Sequence, residues 1–130
     1  MPSALPSSEK NVRSKYNAVK VQVDGITFAS KAESVRYQEL KFLERAGHIH
    51  KLELQPKFEL APSVKFKGAT RATPALRYLA DFKYIDHLGE TIVEDVKGHI
   101  TDSYRIKKHL MLAILGIEIV EVKKRKSSRK

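Results

Sequence analysis

A chain of 130 residues with 42% apolar residues is long enough for one packed core and too short for two ordinary domains. It has no cysteine, which excludes disulfides and thiolate-bound zinc and makes a reducing cytoplasm the expected compartment. No apolar run reaches membrane-spanning length, and residues 1–8 show neither the basic start nor the apolar stretch of a secretory signal. The net charge of +10 points to a polyanionic partner, because Lys and Arg gain affinity by releasing counterions from a nucleic-acid backbone.

Residues 1–20, with Lys10, Arg13, Lys15 and Lys20 against Glu9, lack periodicity and read as a flexible basic arm. Residues 123–130 form a tail of six cations and no acid. Such tails either grip a nucleic-acid backbone or are simply solvated. The folded domain is then 21–122, nearly neutral with 15 basic and 14 acidic residues.

Within it, residues 21–28 alternate apolar and polar around Asp24-Gly25, the pattern of a short hairpin. A helix follows. Ser30 and Glu33 make a capping box, Gly47 marks the end, and Ala32, Val35, Phe42, Leu43 and Ala46 form the expected buried stripe. Arg36 and Glu39 fall inside that stripe, which suggests a buried polar pair or an edge facing a site.

Residues 52–55 and 58–60 alternate on either side of Pro56 and predict a bent or edge strand. A basic loop spans 61–76, and strands are expected at 77–86 and 90–97, joined by His87-Leu88-Gly89. A second helix runs from about Asp102 to Leu115, capped by Thr101 or Asp102 and stopped by Gly116, with Ile106, Leu110, Ala113 and Ile114 inward. The last strand is 117–122. The order is helix, three strands, helix, strand, an α/β (α+β) arrangement with a mixed central sheet flanked by helices, and its last strand returns parallel to the one before the second helix.

The 77–97 hairpin carries the sharpest inference. If Gly89 is the left-handed third residue of a three-residue loop, Asp86 pairs with Glu90, and counting back sets Asp81 opposite Asp95. Lys97 then projects on the face of Asp95, and Glu94 on the other. A two-residue loop would separate the two aspartates. Facing carboxylates repel unless a cation lies between them. Mg²⁺ is the natural one, with Mn²⁺ as a substitute, since it takes one or two carboxylates and leaves room for water and phosphate oxygens. A neighbouring lysine would orient or deprotonate the attacking water and balance charge on phosphorus. The competing reading makes Asp81 and Asp95 ordinary strand residues neutralised by Lys83 and Lys97. The five histidines show no zinc-site spacing.

The run Tyr78-Leu-Ala-Asp81-Phe followed by Val93-Glu-Asp95-Val-Lys97-Gly98 resembles the PD-(D/E)XK nuclease superfamily, with Ala80 where the pattern often has Pro. Phe28-Ala-Ser-Lys-Ala-Glu33 and Leu54-Gln55-Pro56-Lys-Phe-Glu-Leu are similar to segments preceding that Asp in small phage-encoded nucleases and transposition endonucleases. The resemblance covers about residues 14–122 and implies a restriction-endonuclease-like core. It further implies Asp81, Asp95 and Glu33 as metal ligands, Lys97 acting on the water, and Gln55 as an orienting group. Glu33 is equally explained by the capping box.

The expected activity is that of a Mg²⁺-dependent endodeoxyribonuclease of phage or prophage origin. By analogy it is selective for branched DNA in the manner of a junction resolvase, with a homodimer placing two sites for symmetric cleavage. Lys65, Lys67, Arg71 and Arg77 form one expected phosphate-contacting group, and Tyr104, Arg105 and Lys108 at the second helix form another. The alternatives are a non-catalytic nucleic-acid-binding protein or a ribonuclease on the same core.

Overall fold

In the computed structural model, which describes residues 20–123, the chain divides between Gln38 and Glu39 into two compact units. The expected arm (1–20) and tail (123–130) lie outside the described residues except for Lys20 and for Lys123, which ends the last strand.

In the N-terminal unit, strands β1 (Val21–Val23) and β2 (Ile26–Phe28) pair antiparallel around Asp24-Gly25. Both turn residues have positive φ, 55° and 77°, as a two-residue hairpin loop requires. The Tyr37 hydroxyl donates to Asp24 Oδ2 (2.9 Å), and the Tyr37 ring lies 5.1 Å from that of Phe28.

Helix α1 (Lys31–Arg45) carries the dividing point. Ser30 Oγ accepts the Glu33 N–H (3.1 Å), and at the far end Gly47 (φ 84°) and His48 donate to the carbonyls of Glu44 and Leu43. The latter two bonds are the paired closure that a left-handed glycine permits. Capping was legible, but the buried face was not. Ser34, Tyr37 and Leu40 are buried, while Val35, Phe42 and Ala46 are exposed and Ala32 and Leu43 only half-buried. The reason is polar satisfaction: the Ser34 hydroxyl donates to the Lys31 carbonyl (2.7 Å) and the Tyr37 hydroxyl to Asp24, so these residues are buried at little cost.

The C-terminal unit holds a mixed four-stranded sheet in the order β3-β6-β7-β8, from β3 (His50–Leu54), β6 (Phe82–Ile85), β7 (Thr91–Lys97) and β8 (Val120–Lys123). β8 runs parallel to β7, and the other neighbours are antiparallel. A two-stranded ribbon, β4 (Lys57–Ala61) with β5 (Leu76–Leu79), continues from it. Gln55-Pro56 bends one chain segment from β3 into β4, as the proline predicts. The expected single strand 77–86 is likewise interrupted, at Ala80-Asp81, into β5 and β6. The fold is therefore α+β, with two of its three pre-helix strands broken so that each serves two sheets.

Helix α2 (Asp102–Leu115) is capped by Thr101, whose Oγ1 accepts the Tyr104 N–H (3.1 Å), and ends at Gly116 with φ 71°. Its buried residues are Tyr104 and Met111, two turns apart. They join Leu60, Tyr78, Ala80, Val93 and Ile119 in one cluster. The expected inward stripe is corrected here too: Ile106, Ala113 and Ile114 are exposed and Leu110 is half-buried. Tyr104 and Lys108, one turn apart, face Glu121 on β8, and meeting that carboxylate fixes the rotation of the helix. Among the described residues no helix is long and apolar enough to cross a membrane.

Candidate active site

The β6–β7 register is the one counted from Gly89. Asp86 donates its N–H to Glu90 (2.9 Å), Gly89 has φ 85°, and the ladder runs from Ile85↔Thr91 to Phe82↔Glu94. It then departs from the regular count. Asp81, one residue past the ladder, also donates its N–H to the Glu94 carbonyl (3.1 Å). Two residues of one strand thus stand against one of the other, which is the form of a bulge. Asp81 is therefore not a plain cross-strand partner of Asp95. Its side chain enters the ladder instead, Oδ2 accepting the backbone N–H of Val96 at 2.7 Å. The bulge seats one carboxylate on the residue between Asp95 and Lys97.

Asp95 and Lys97 alternate with Val93 on β7, and Val93 belongs to the cluster that contains Tyr104 and Met111. Asp95 is only 4% exposed, so its charge needs partners. Its Oδ2 accepts from the Tyr78 hydroxyl and lies 3.4 Å from Lys97 Nζ. The ammonium in turn sits 3.9 Å from the centre of the Tyr104 ring, a favourable cation–π distance. Parallel pairing sets Glu121 beside Asp95 and Lys123 beside Lys97. Glu121 Oε2 accepts from the Tyr104 hydroxyl (2.8 Å) and from Lys108 Nζ (2.7 Å).

Burial, the bond to Asp95 and the charges of Asp95 and Asp81 push the Tyr78 phenol far above its ordinary value, so it remains a donor. Both aspartates therefore act electrically on one hydroxyl. Burial and Glu121 also raise Tyr104. The bonds from Lys108 and Tyr104 hold Glu121 below its ordinary value.

Gln55 has φ 51°, unusual for a residue with a side chain, and its N–H donates to the Asp81 carbonyl (2.9 Å). The backbone around Asp81 is thus fixed from both neighbouring strands, while the Gln55 side chain is exposed. Glu33 lies in the N-terminal unit, in the first turn of α1. Lys65, Lys67 and Arg71 are exposed on the β4–β5 connection, and Arg77 stands opposite Glu59 on β5. Arg105 is exposed and 3.6 Å from Asp102. Tyr104 and Lys108, expected at a phosphate, are engaged by Glu121.

Two residues of the network, Tyr78 and Glu121, were not singled out from sequence. Glu121 had a readable signal: it is the one acid flanked by valines in a strand expected parallel to the Asp95 strand. Tyr78 had none, because its position depends on the bulge.

A family model described as Protein of unknown function (DUF1064) matches residues 13–127. No curated protein and no solved structure matches the chain. The chain belongs to the DUF1064 family.

Proposed function

We propose that this DUF1064 member is a divalent-metal-dependent endonuclease that hydrolyses phosphodiester bonds in DNA. The observation that carries the reading is the seat of Asp81. Its carboxylate rests on the Val96 N–H while Lys97 lies 3.4 Å from Asp95, so two acids and one amine are held about a single tripeptide.

The donors offered here are carboxylate oxygens, which suit Mg²⁺ or Mn²⁺ and not a soft metal. Among the described residues no three His, Cys, Asp or Glu side chains form a metal-binding group, so Asp81 and Asp95 would hold the ion with water and substrate oxygens completing its shell. When bound, such an ion polarises the phosphoryl oxygens and lowers the pKa of water.

The chain's own groups supply the rest. Lys97, backed by Asp95 and by the Tyr104 ring, presents an ammonium that orients the attacking water and balances the charge gathering on phosphorus as the new P–O bond forms and the opposite one breaks. Tyr78 keeps Asp95 fixed by donating its hydroxyl to it. The exposed cations Lys65, Lys67 and Arg71 bind phosphates along the strand, and the absence of cysteine suits action in a reducing cytoplasm.

Supercoiled plasmid tests this reading. Nicking with Mg²⁺, its loss with chelator, and binding without cutting by Asp95→Asn are expected. A folded wild-type protein that binds DNA yet cuts with neither Mg²⁺ nor Mn²⁺ would leave a non-catalytic binding protein as the better description.

A further inference from the structure

Phe66 is 64% exposed. A single exposed apolar residue ordinarily means nothing, but this one stands at the tip of a built hairpin. Val64 and Thr73 exchange N–H to carbonyl bonds (3.1 and 2.6 Å), Ser63 Oγ donates to the Thr73 carbonyl (2.7 Å), and Ala69 N–H closes on the Phe66 carbonyl (3.0 Å). Gly68, at φ 85°, makes the turn. The aromatic ring is thus carried outward on a structure with its own hydrogen bonds.

Its chemical setting is equally one-sided. Lys65 and Lys67 flank it, Arg71 and Arg77 follow, and no acid occurs between Glu59 and Asp81. Cations beside an exposed ring match a polyanion that also offers flat apolar faces, which is nucleic acid with accessible bases. Paired, stacked bases do not offer those faces, and opening a step in duplex costs a few kcal/mol.

The hairpin is an extension of the β4–β5 ribbon, whose inner end bears Tyr78, paired with Phe58. Eight residues separate Phe58 from Phe66, at most about 26 Å of strand. That distance is about eight nucleotides at the spacing along one DNA strand.

We infer that Phe66 stacks on an unpaired base of the bound strand, between phosphates held by Lys65 and Lys67, so that the substrate is DNA with a single-stranded segment within about eight nucleotides of the cut. The substrate assignment rests on the nuclease reading above; the stacking contact does not.

The chain has no tryptophan, so Phe66→Trp places one reporter at the tip. In chelator, a single-stranded oligothymidylate is expected to quench its emission strongly, and a blunt duplex of equal length only weakly. Phe66→Ala and Phe66→Leu should both weaken single-strand binding by about tenfold, since leucine keeps the apolar bulk and loses the ring.

Bound oligonucleotide without quenching would overturn the inference. So would brightening on anionic phosphatidylserine vesicles with no response to oligonucleotide, which would make the tip a membrane anchor. Parallel nicking assays with Mg²⁺ separate the two claims: quenching without cutting removes the nuclease and keeps the stacking contact, and cutting without quenching does the reverse.

Discussion

The two ends of the β4–β5 ribbon are built on opposite terms. At the inner end Tyr78 and Ala80 are buried with Val93 and Met111, and the Tyr78 hydroxyl is committed to Asp95. At the outer end Lys65, Phe66 and Lys67 stand in solvent on a hydrogen-bonded turn. Where water is excluded, charges interact strongly and their geometry is worth fixing. Where water is present, a charge gives long-range attraction that salt weakens. One ribbon thus ties a buried, hydrogen-bonded end to an exposed, basic one, and on the proposed reading variants at the two ends should fail in different ways.

The largest difference is expected from Lys97→Ala. It should lower nicking by about 100-fold or more while changing DNA affinity little, measured as single-turnover rate against anisotropy binding. Cutting that survives at the wild-type rate would move the chemistry elsewhere.

Tyr78→Phe comes next. It leaves a buried carboxylate without its hydroxyl donor, so unfolding in urea should show a loss of about 1–3 kcal/mol. An unchanged urea midpoint would mean that Asp95 does not depend on the phenol.

At the outer end, Lys65→Ala with Lys67→Ala should flatten the plot of log affinity against log salt by about two phosphates' worth, a change in slope of about 1.4 for single-stranded DNA. The cutting rate at saturating DNA should stay the same. A steep slope that persists would place the main phosphate contacts elsewhere.

Glu121 gives a pH-dependent test. Its folded pKa lies below the ordinary value of 4.5 because Lys108 and Tyr104 bond to the ionised form. That contribution to stability is therefore fully present above about 4.5 and is lost as pH falls through the lower folded value. Glu121→Gln should be less stable than wild type at neutral pH, with the gap narrowing below pH 4.5 in urea midpoints taken across pH. A gap that is constant with pH would exclude the ionic contribution.

The smallest effect is expected from Gly89→Ala. A Cβ there meets nothing within 4 Å, so the cost is that of positive φ alone, about 1 kcal/mol. A neutral substitution would mean that the turn does not need its glycine.

What could be read from sequence follows from the range of the interactions involved. The Gly89 turn and the Ser30, Thr101, Gly47 and Gly116 caps are local, each decided within a few residues, and the strand register followed from the first of them. The bulge at Asp81 was not legible, because nothing in Leu79-Ala80-Asp81-Phe82 requires an extra residue. It arises where the chain changes from the β4 partnership to the β7 partnership. The helix faces failed for a related reason. Counting apolar residues favoured Phe42 and Ile106, whereas burial was decided by distant polar groups: Asp24 for Tyr37, and Glu121 for Tyr104 and Lys108. Of the candidate site, the sequence offered Asp81, Asp95 and Lys97, and missed Tyr78, which bonds to Asp95 from far along the chain, and Glu121, which bonds to Tyr104.

The most direct test is a double-mutant cycle on single-turnover cleavage of labelled DNA, comparing wild type, Asp81→Asn, Asp95→Asn and the double variant with Mg²⁺. If the two carboxylates act as one unit, each single variant loses about 100-fold or more and the double variant is scarcely worse than either. Either single variant cutting at the wild-type rate, or a double variant whose loss is the full product of the two, would contradict a shared site.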